Sequence, residues 1–240
     1  LDGIQIESFE LIALMYIWGM DILFEDFHLL VVNKPGGLTT ESGKSSHPSA
    51  EKEMLAYVTR NLADQTGTGL IRKVPYLRAA HRLDRPASGV LVFGKTRAAL
   101  SGVMKQFEEG TVEKSYLAQT SVSPNISEEV LNHYIRRDET GKRALVTNNP
   151  VDGSQPCGLT YRVLREGVGM CLLEVRTHTG RFHQIRAQLS HIGCPISGDI
   201  LYGGDRWRET QIKLLACNLV ISHPFTGERL KFSLTTPTDW

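Results

Sequence analysis

The chain has 240 residues, 41% of them hydrophobic, which suits one large domain or two closely packed lobes, and no linker long enough to separate domains is present. A net charge of +1 would not by itself suggest a nucleic-acid partner, but its distribution does: residues 1–70 carry 4 Lys+Arg against 10 Asp+Glu, and residues 71–240 carry 23 against 16. The basic excess is what a phosphate-tracking surface requires.

Taken in order, the chain opens with an apolar run, Leu11 to Met20, whose ten residues are too few to span a bilayer as a helix. Glu7 and Glu10 precede it where a signal peptide would carry Lys or Arg. We therefore read residues 1–21 as an N-terminal extension and residues 22–240 as a single domain. Residues 28–33 read as a strand, and the polar, Ser-rich stretch Glu41 to Ser49 as a loop. Ser49 caps an expected helix that runs to Ala63, and a second helix runs from Ala98 to Glu109, ended by Gly110. Further strands are expected at 90–94, 115–122, 143–147, 171–177, 217–221 and 229–234. Many strands with few helices imply an α+β fold with a mixed, largely antiparallel sheet.

Two suggestive patterns fail on spacing. Gly43-Lys44-Ser45 lies between a strand and a helix, but a P-loop needs glycine where Leu38 stands. Gly67-Thr68-Gly69 and Gly167-Val168-Gly169 lack the third glycine of a dinucleotide fingerprint, since Arg72 and Leu172 occupy that position. Cys157, Cys171, Cys194 and Cys217 form no C-x-x-C pair and read as reduced, mostly buried thiols of a cytosolic protein. His178, His183 and His191 do not stand at zinc-ligand spacing.

The chemistry concentrates in two segments. His81-Arg82-Leu83-Asp84-Arg85-Pro86-Ala87-Ser88-Gly89 sets one carboxylate between two guanidinium groups, ahead of the apolar strand Val90-Leu91-Val92-Phe93. Neighbouring positive charge keeps such a carboxylate ionised and fit to serve as a nucleophile or base. An isolated R-x-D-R would be read as a surface ion cluster. The second segment, Thr179-Gly180-Arg181-Phe182-His183-Gln184-Ile185-Arg186-Ala187-Gln188-Leu189, leads from a glycine into a helix with Ile185 and Leu189 on one face. Lys114-Ser115-Tyr116-Leu117-Ala118 lies between them in a strand-like run.

Together these resemble the RluA-type RNA pseudouridine synthases. The family's H-R-L-D-x-x-T-S-G is matched except for Ala87 in place of Thr, and its K-x-Y-x-A and T-G-R-x-H-Q-I-R elements are matched in full and in order. The resemblance runs from about Ile22 to Phe232. It includes the Asn33-Lys34-Pro35 turn, the segment from His191 to Asp199 with Tyr202-Gly203, and the stretch from Leu215 to Glu228. Leu215 stands where many relatives carry histidine.

The resemblance implies a sheet with a central cleft between two lobes and the reacting Asp on a loop inside it. It implies isomerisation of uridine within ribosomal or transfer RNA, with neither cofactor nor metal required. Asp84 would be the nucleophile or base at the sugar, Arg181 its ion-pair partner, and Tyr116 the ring that stacks on uracil and takes part in proton removal. Arg82 would fill the space the flipped base vacates. Arg85, Lys114 and Arg186 would be phosphate or structural partners. A monomer is expected. Two other classes stay open: an inactive RNA-binding module on the same scaffold, and a base-releasing hydrolase, which normally needs paired carboxylates.

Overall fold

The computed structural model describes residues 20–41, 48–66 and 74–240. The expectations for residues 1–19, for most of the 41–49 loop and for the 67–69 glycines lie outside them. Among the described residues eleven strands form one sheet, antiparallel throughout except at a single junction.

The first lobe begins with β1 (Asp21–Glu25) and β2 (Leu29–Lys34), a hairpin closed by Asp26, whose Oδ1 accepts from the His28 and Leu29 amides at 2.7 and 2.6 Å. Helix α1 (Ala50–Thr66) follows, then the short β3 (Arg78–Ala79) and β4 (Ser88–Gly94). The expected cap is in place, with the Lys52 amide 3.3 Å from Ser49 Oγ. Strands β2 and β4 read as unbroken apolar runs because both their faces are covered. Leu30, Val32, Leu91 and Phe93 pack beneath α1, and Leu29, Val31, Val90 and Val92 beneath α2 (Arg97–Glu108). Each such fully buried side chain contributes about 1.5–3 kcal/mol.

The second lobe is built from β5 (Glu113–Thr120), β6 (Glu128–Arg137), β7 (Ala144–Thr147), β8 (Gln155–Gly167) and β9 (Met170–Thr177), with α3 (Gln184–His191) and a 3-10 turn at Ile200–Tyr202 packed against them. Strands β10 (Leu214–Ser222) and β11 (Arg229–Ser233) return to the middle. The sheet order is β1-β2-β4-β10-β5-β9-β8-β6-β7, with β3 beside β4 and β11 beside β10.

The parallel junction within the sheet joins the lobes. Strand β4 meets β10 only at Ser88↔Leu215 and Gly89↔Ala216. Beyond that point β11 takes over the same edge of β10, so the sheet forks. Gly89 is required here: its φ is +126°, and a Cβ would come within 2.4 Å of the Ala216 carbonyl oxygen.

Candidate active site

Asp84 lies just before this fork, in a turn closed by the Ala87 amide to the Asp84 carbonyl (3.1 Å). The loop after β2 clamps that turn. Leu83 and Thr40 exchange two hydrogen bonds, and the Gly37 amide donates to the Arg85 carbonyl at 2.7 Å. Lys34 is fully buried, and its Nζ reaches the carbonyl oxygens of Pro35, Leu38 and Ala87 at 2.7–2.8 Å. Burial pulls the Lys34 pKa down to about 7, with the Asp84 charge opposing the shift. Three carbonyl acceptors need three N–H donors, so the arrangement is that of an ammonium.

The opposite wall is the segment leading into α3. Gln184 anchors it, its Oε1 accepting from Thr179 Oγ1 (2.7 Å) and the Arg181 amide (3.0 Å) and its Nε2 donating to the Gly158 carbonyl (2.9 Å). His183 takes a left-handed conformation at φ 53° and stacks on Phe182 with centroids 3.7 Å apart. One turn on, buried Arg186 grips Asp199 through Nε (2.7 Å) and Nη2 (2.8 Å) and reaches Asp84 Oδ2 through Nη1 at 3.2 Å. Burial opposes the Arg186 charge, but the Asp199 and Asp84 carboxylates more than offset it and raise the pKa.

This corrects the expectation for Arg181. Its guanidinium makes no bond to Asp84; Nε donates to the Pro156 carbonyl at 3.3 Å and the side chain is exposed. The reason lies in the helix geometry: residue 181 precedes the α3 cap, whereas residue 186 sits in the first turn on the cleft side. Arg186 in turn is 4% exposed, with its guanidinium committed to Asp199 and Asp84, which fits the structural side of its expected role.

Tyr116, on β5, touches the cores of both lobes and forms part of the cleft wall. Burial, helped by the Asp84 and Cys217 charges, pushes its phenol up to about 12, so it is protonated near neutral pH. The cleft has a volume of about 870 Å³ and holds Asp84, Tyr116, Lys114, His81 and Arg186 together. A second opening of about 760 Å³ shares Asp84 and carries Arg82, Arg85, Arg137 and Arg181. Lys114 is half-buried with its amine 5.7 Å from the Phe107 ring centre. Arg82 is 3.6 Å from Glu41 and exposed, and Arg85 donates to the Gly37 carbonyl at 3.0 Å.

Sequence reasoning missed Asp199 and Tyr202. Asp199 is 1% exposed and holds the arginine that touches Asp84; an acidic residue directly after Gly198 in a segment that resembles the family was the available signal. His81 accepts from the Val92 amide at 3.3 Å, and burial, helped by Lys114, pushes its pKa down to about 3. Among the described residues no cluster of side chains suits a metal ion. All four cysteines are free and buried.

Comparison with known proteins agrees with this architecture. Residues 28–191 match the model of the RNA pseudouridylate synthase family. The chain is 32% identical over 223 residues to an uncharacterized RNA pseudouridine synthase, YhcT, of Bacillus subtilis, covering 92% of this chain and 70% of the relative. It is 30% identical to ribosomal large subunit pseudouridine synthase C of Vibrio cholerae, covering 88% of this chain but 64% of that protein. It is also 30% identical to tRNA pseudouridine synthase C of Vibrio parahaemolyticus, with 92% of each chain covered. The structure of human RNA pseudouridylate synthase domain containing 4 superposes with a TM-score of 0.69 at 25% identity, covering 91% of this chain and 89% of that one. The family match spans most of the described fold and both walls of the cleft, and the chain belongs to the RluA-type RNA pseudouridine synthases.

Proposed function

We propose that this chain isomerises uridine to pseudouridine in a structured ribosomal or transfer RNA, with Asp84 as the reacting carboxylate. The observation that carries this reading is the asymmetry of Asp84. Its Oδ2 is held by Arg186, while Oδ1 accepts no hydrogen bond from any described residue and the side chain lines the cleft. One oxygen is thus fixed and the other is free to act as nucleophile or base at the sugar.

The reaction needs no net input: the C1′–N1 bond breaks, the uracil turns, C1′ joins C5, and the proton lost from C5 is balanced by one gained at N1. Tyr116 supports this as a neutral ring against which uracil can stack and as a hydroxyl able to pass a proton. The target must leave the helical stack, at a cost of about a few kcal/mol. Exposed Arg82 is suited to fill the vacated space. Arg181 and Arg85, exposed beside the same openings, fit the RNA backbone, and Lys114 adds positive charge inside the cleft. A hydrolase would want a second free carboxylate beside Asp84; Asp199, which shares Arg186 with it, is buried with both oxygens taken by that arginine.

The test is pseudouridine mapping of total RNA with and without the protein, beside the Asp84→Asn variant. Sites that appear with wild type and vanish with Asp84→Asn are expected. Conversion by Asp84→Asn at a near wild-type rate would remove Asp84 from the mechanism.

A further inference from the structure

Behind Asp84 lies a chain of polar contacts that the proposed reaction does not use. The Ala144 amide, at the start of β7, donates to Tyr202 Oη at 2.7 Å. Tyr202 Oη is 3.0 Å from His183 Nδ1, and the other ring nitrogen, Nε2, lies 3.8 Å from Asp84 Oδ2. Tyr202 is 4% exposed, with its carbonyl bound by Ser190 Oγ at 2.6 Å and the Arg186 guanidinium 5.0 Å from its ring centre.

We propose that Tyr202 and His183 are positioning residues for Asp84: the Tyr202 hydroxyl holds His183 in the tautomer protonated on Nε2, so that an N–H rather than a lone pair faces Asp84 Oδ2.

The argument is one of proton accounting. A phenol has one proton to give and two lone pairs. The Ala144 amide takes one lone pair. If Nδ1 carried the ring proton it would take the other, and the buried hydroxyl proton would find no acceptor among the described residues. If the hydroxyl donates to Nδ1, both the hydroxyl proton and the Nδ1 lone pair are satisfied and the ring proton sits on Nε2, on the side of Asp84. Asp84 favours the same answer independently, since a lone pair aimed at a carboxylate is repelled and an N–H is attracted. Burial keeps the ring neutral, lowering the His183 pKa to about 4 against the pull of Asp84. The ring cannot swing away easily, because Phe182 is stacked on it and its backbone is fixed in the left-handed region. At 3.8 Å the N–H is not yet bonded to Oδ2; such contacts tighten when substrate closes a site. Oδ2 would then hold two donors, leaving Oδ1 to react.

The catalytic half of this inference rests on Asp84 being the reacting group; the tautomer does not. Long-range proton–nitrogen NMR on the full chain, without RNA and near neutral pH, should find His183 protonated on Nε2 and bare on Nδ1. A ring protonated on Nδ1, or an even mixture, overturns the proposal. In Tyr202→Phe, which keeps the ring and its packing, the Nδ1-protonated form should grow. Its single-turnover rate on bound RNA should fall about tenfold, with affinity changed less than about twofold. An unchanged rate overturns the positioning role. His183→Gln, whose amide can offer an N–H near the Nε2 position, should retain more rate than His183→Met; equal rates also count against the role. Wild type that forms no pseudouridine would sink the functional reading alone, with the NMR result still deciding the tautomer.

Discussion

Arg186 and Arg181 stand five positions apart in one motif and do different work. Arg186 is locked between two carboxylates, so Arg186→Ala leaves Asp199 buried without a partner, a loss of about 3–5 kcal/mol. Arg186→Lys keeps the charge but cannot hold both Asp199 oxygens and Asp84 at once, and a slower reaction on bound RNA is expected. Arg181→Ala should weaken RNA binding several-fold while leaving stability within about 0.5 kcal/mol, as for an exposed side chain. Urea midpoints beside single-turnover rates separate these outcomes, and equal destabilisation by both alanine variants would contradict them. The motif revealed the pair of arginines but not their division of labour, because which one reaches Asp84 depends on where α3 begins.

His183 also makes stability depend on pH. The unfolded ring takes its proton near 6.5, whereas in the folded site burial delays protonation to about 4. Its contribution is therefore intact above pH 6.5 and drains away as pH falls towards 4. About 3 kcal/mol should be lost over that window, and the loss should be absent in His183→Gln. Urea midpoints at pH 7 and 4.5 for the two proteins provide the check; parallel decline would mean the ring titrates normally.

At the level of elements, apolar patterning was readable where strands are covered on both sides. The runs at 28–33, 90–94, 171–177 and 217–221 correspond to β2, β4, β9 and β10. Strands β6 and β8 were not anticipated. Glu128, Glu129, Arg136 and Arg137 flank the apolar positions of β6, which obscures the alternation. Strand β8 contains Pro156 and Gly158, both of which argue against a strand. Pro156 is tolerated because it pairs with Tyr134 of β6 at a point before β9 pairing begins, at Leu159↔Thr177. The Asp84 loop was legible as a motif, but its rigidity comes from Lys34 and Thr40, about 45–50 residues away in sequence. Lys34→Met removes three donors from buried carbonyls, so a loss of at least about 2–3 kcal/mol is expected by chemical denaturation. A variant as stable as wild type would show that the clamp is dispensable.

Across the whole molecule, four arginines from the basic part of the sequence, Arg82, Arg85, Arg137 and Arg181, line one opening beside Asp84. RNA affinity should fall steeply as salt rises, because each neutralised phosphate releases condensed counterions. Filter binding across a salt series measures the slope, and a flat response would place the RNA elsewhere. The α+β class and the two-lobed cleft could be foreseen from the motifs, but the fork could not, since its two-residue contact leaves no pattern in either strand.

That fork governs the order in which the protein can be made. Strand β4 is finished by Gly94, yet its neighbour β10 starts only at Leu214, with the whole second lobe in between. On the ribosome the Ser88–Gly89 end of β4, which β3 leaves uncovered, must wait for its partner until the second lobe has been synthesised. Contacts that span so much sequence slow folding, and an open edge recruits other unfinished chains. A nascent chain halted before Leu214 would thus be the aggregation-prone form, and a chaperone that covers bare strand edges would be needed most during that interval.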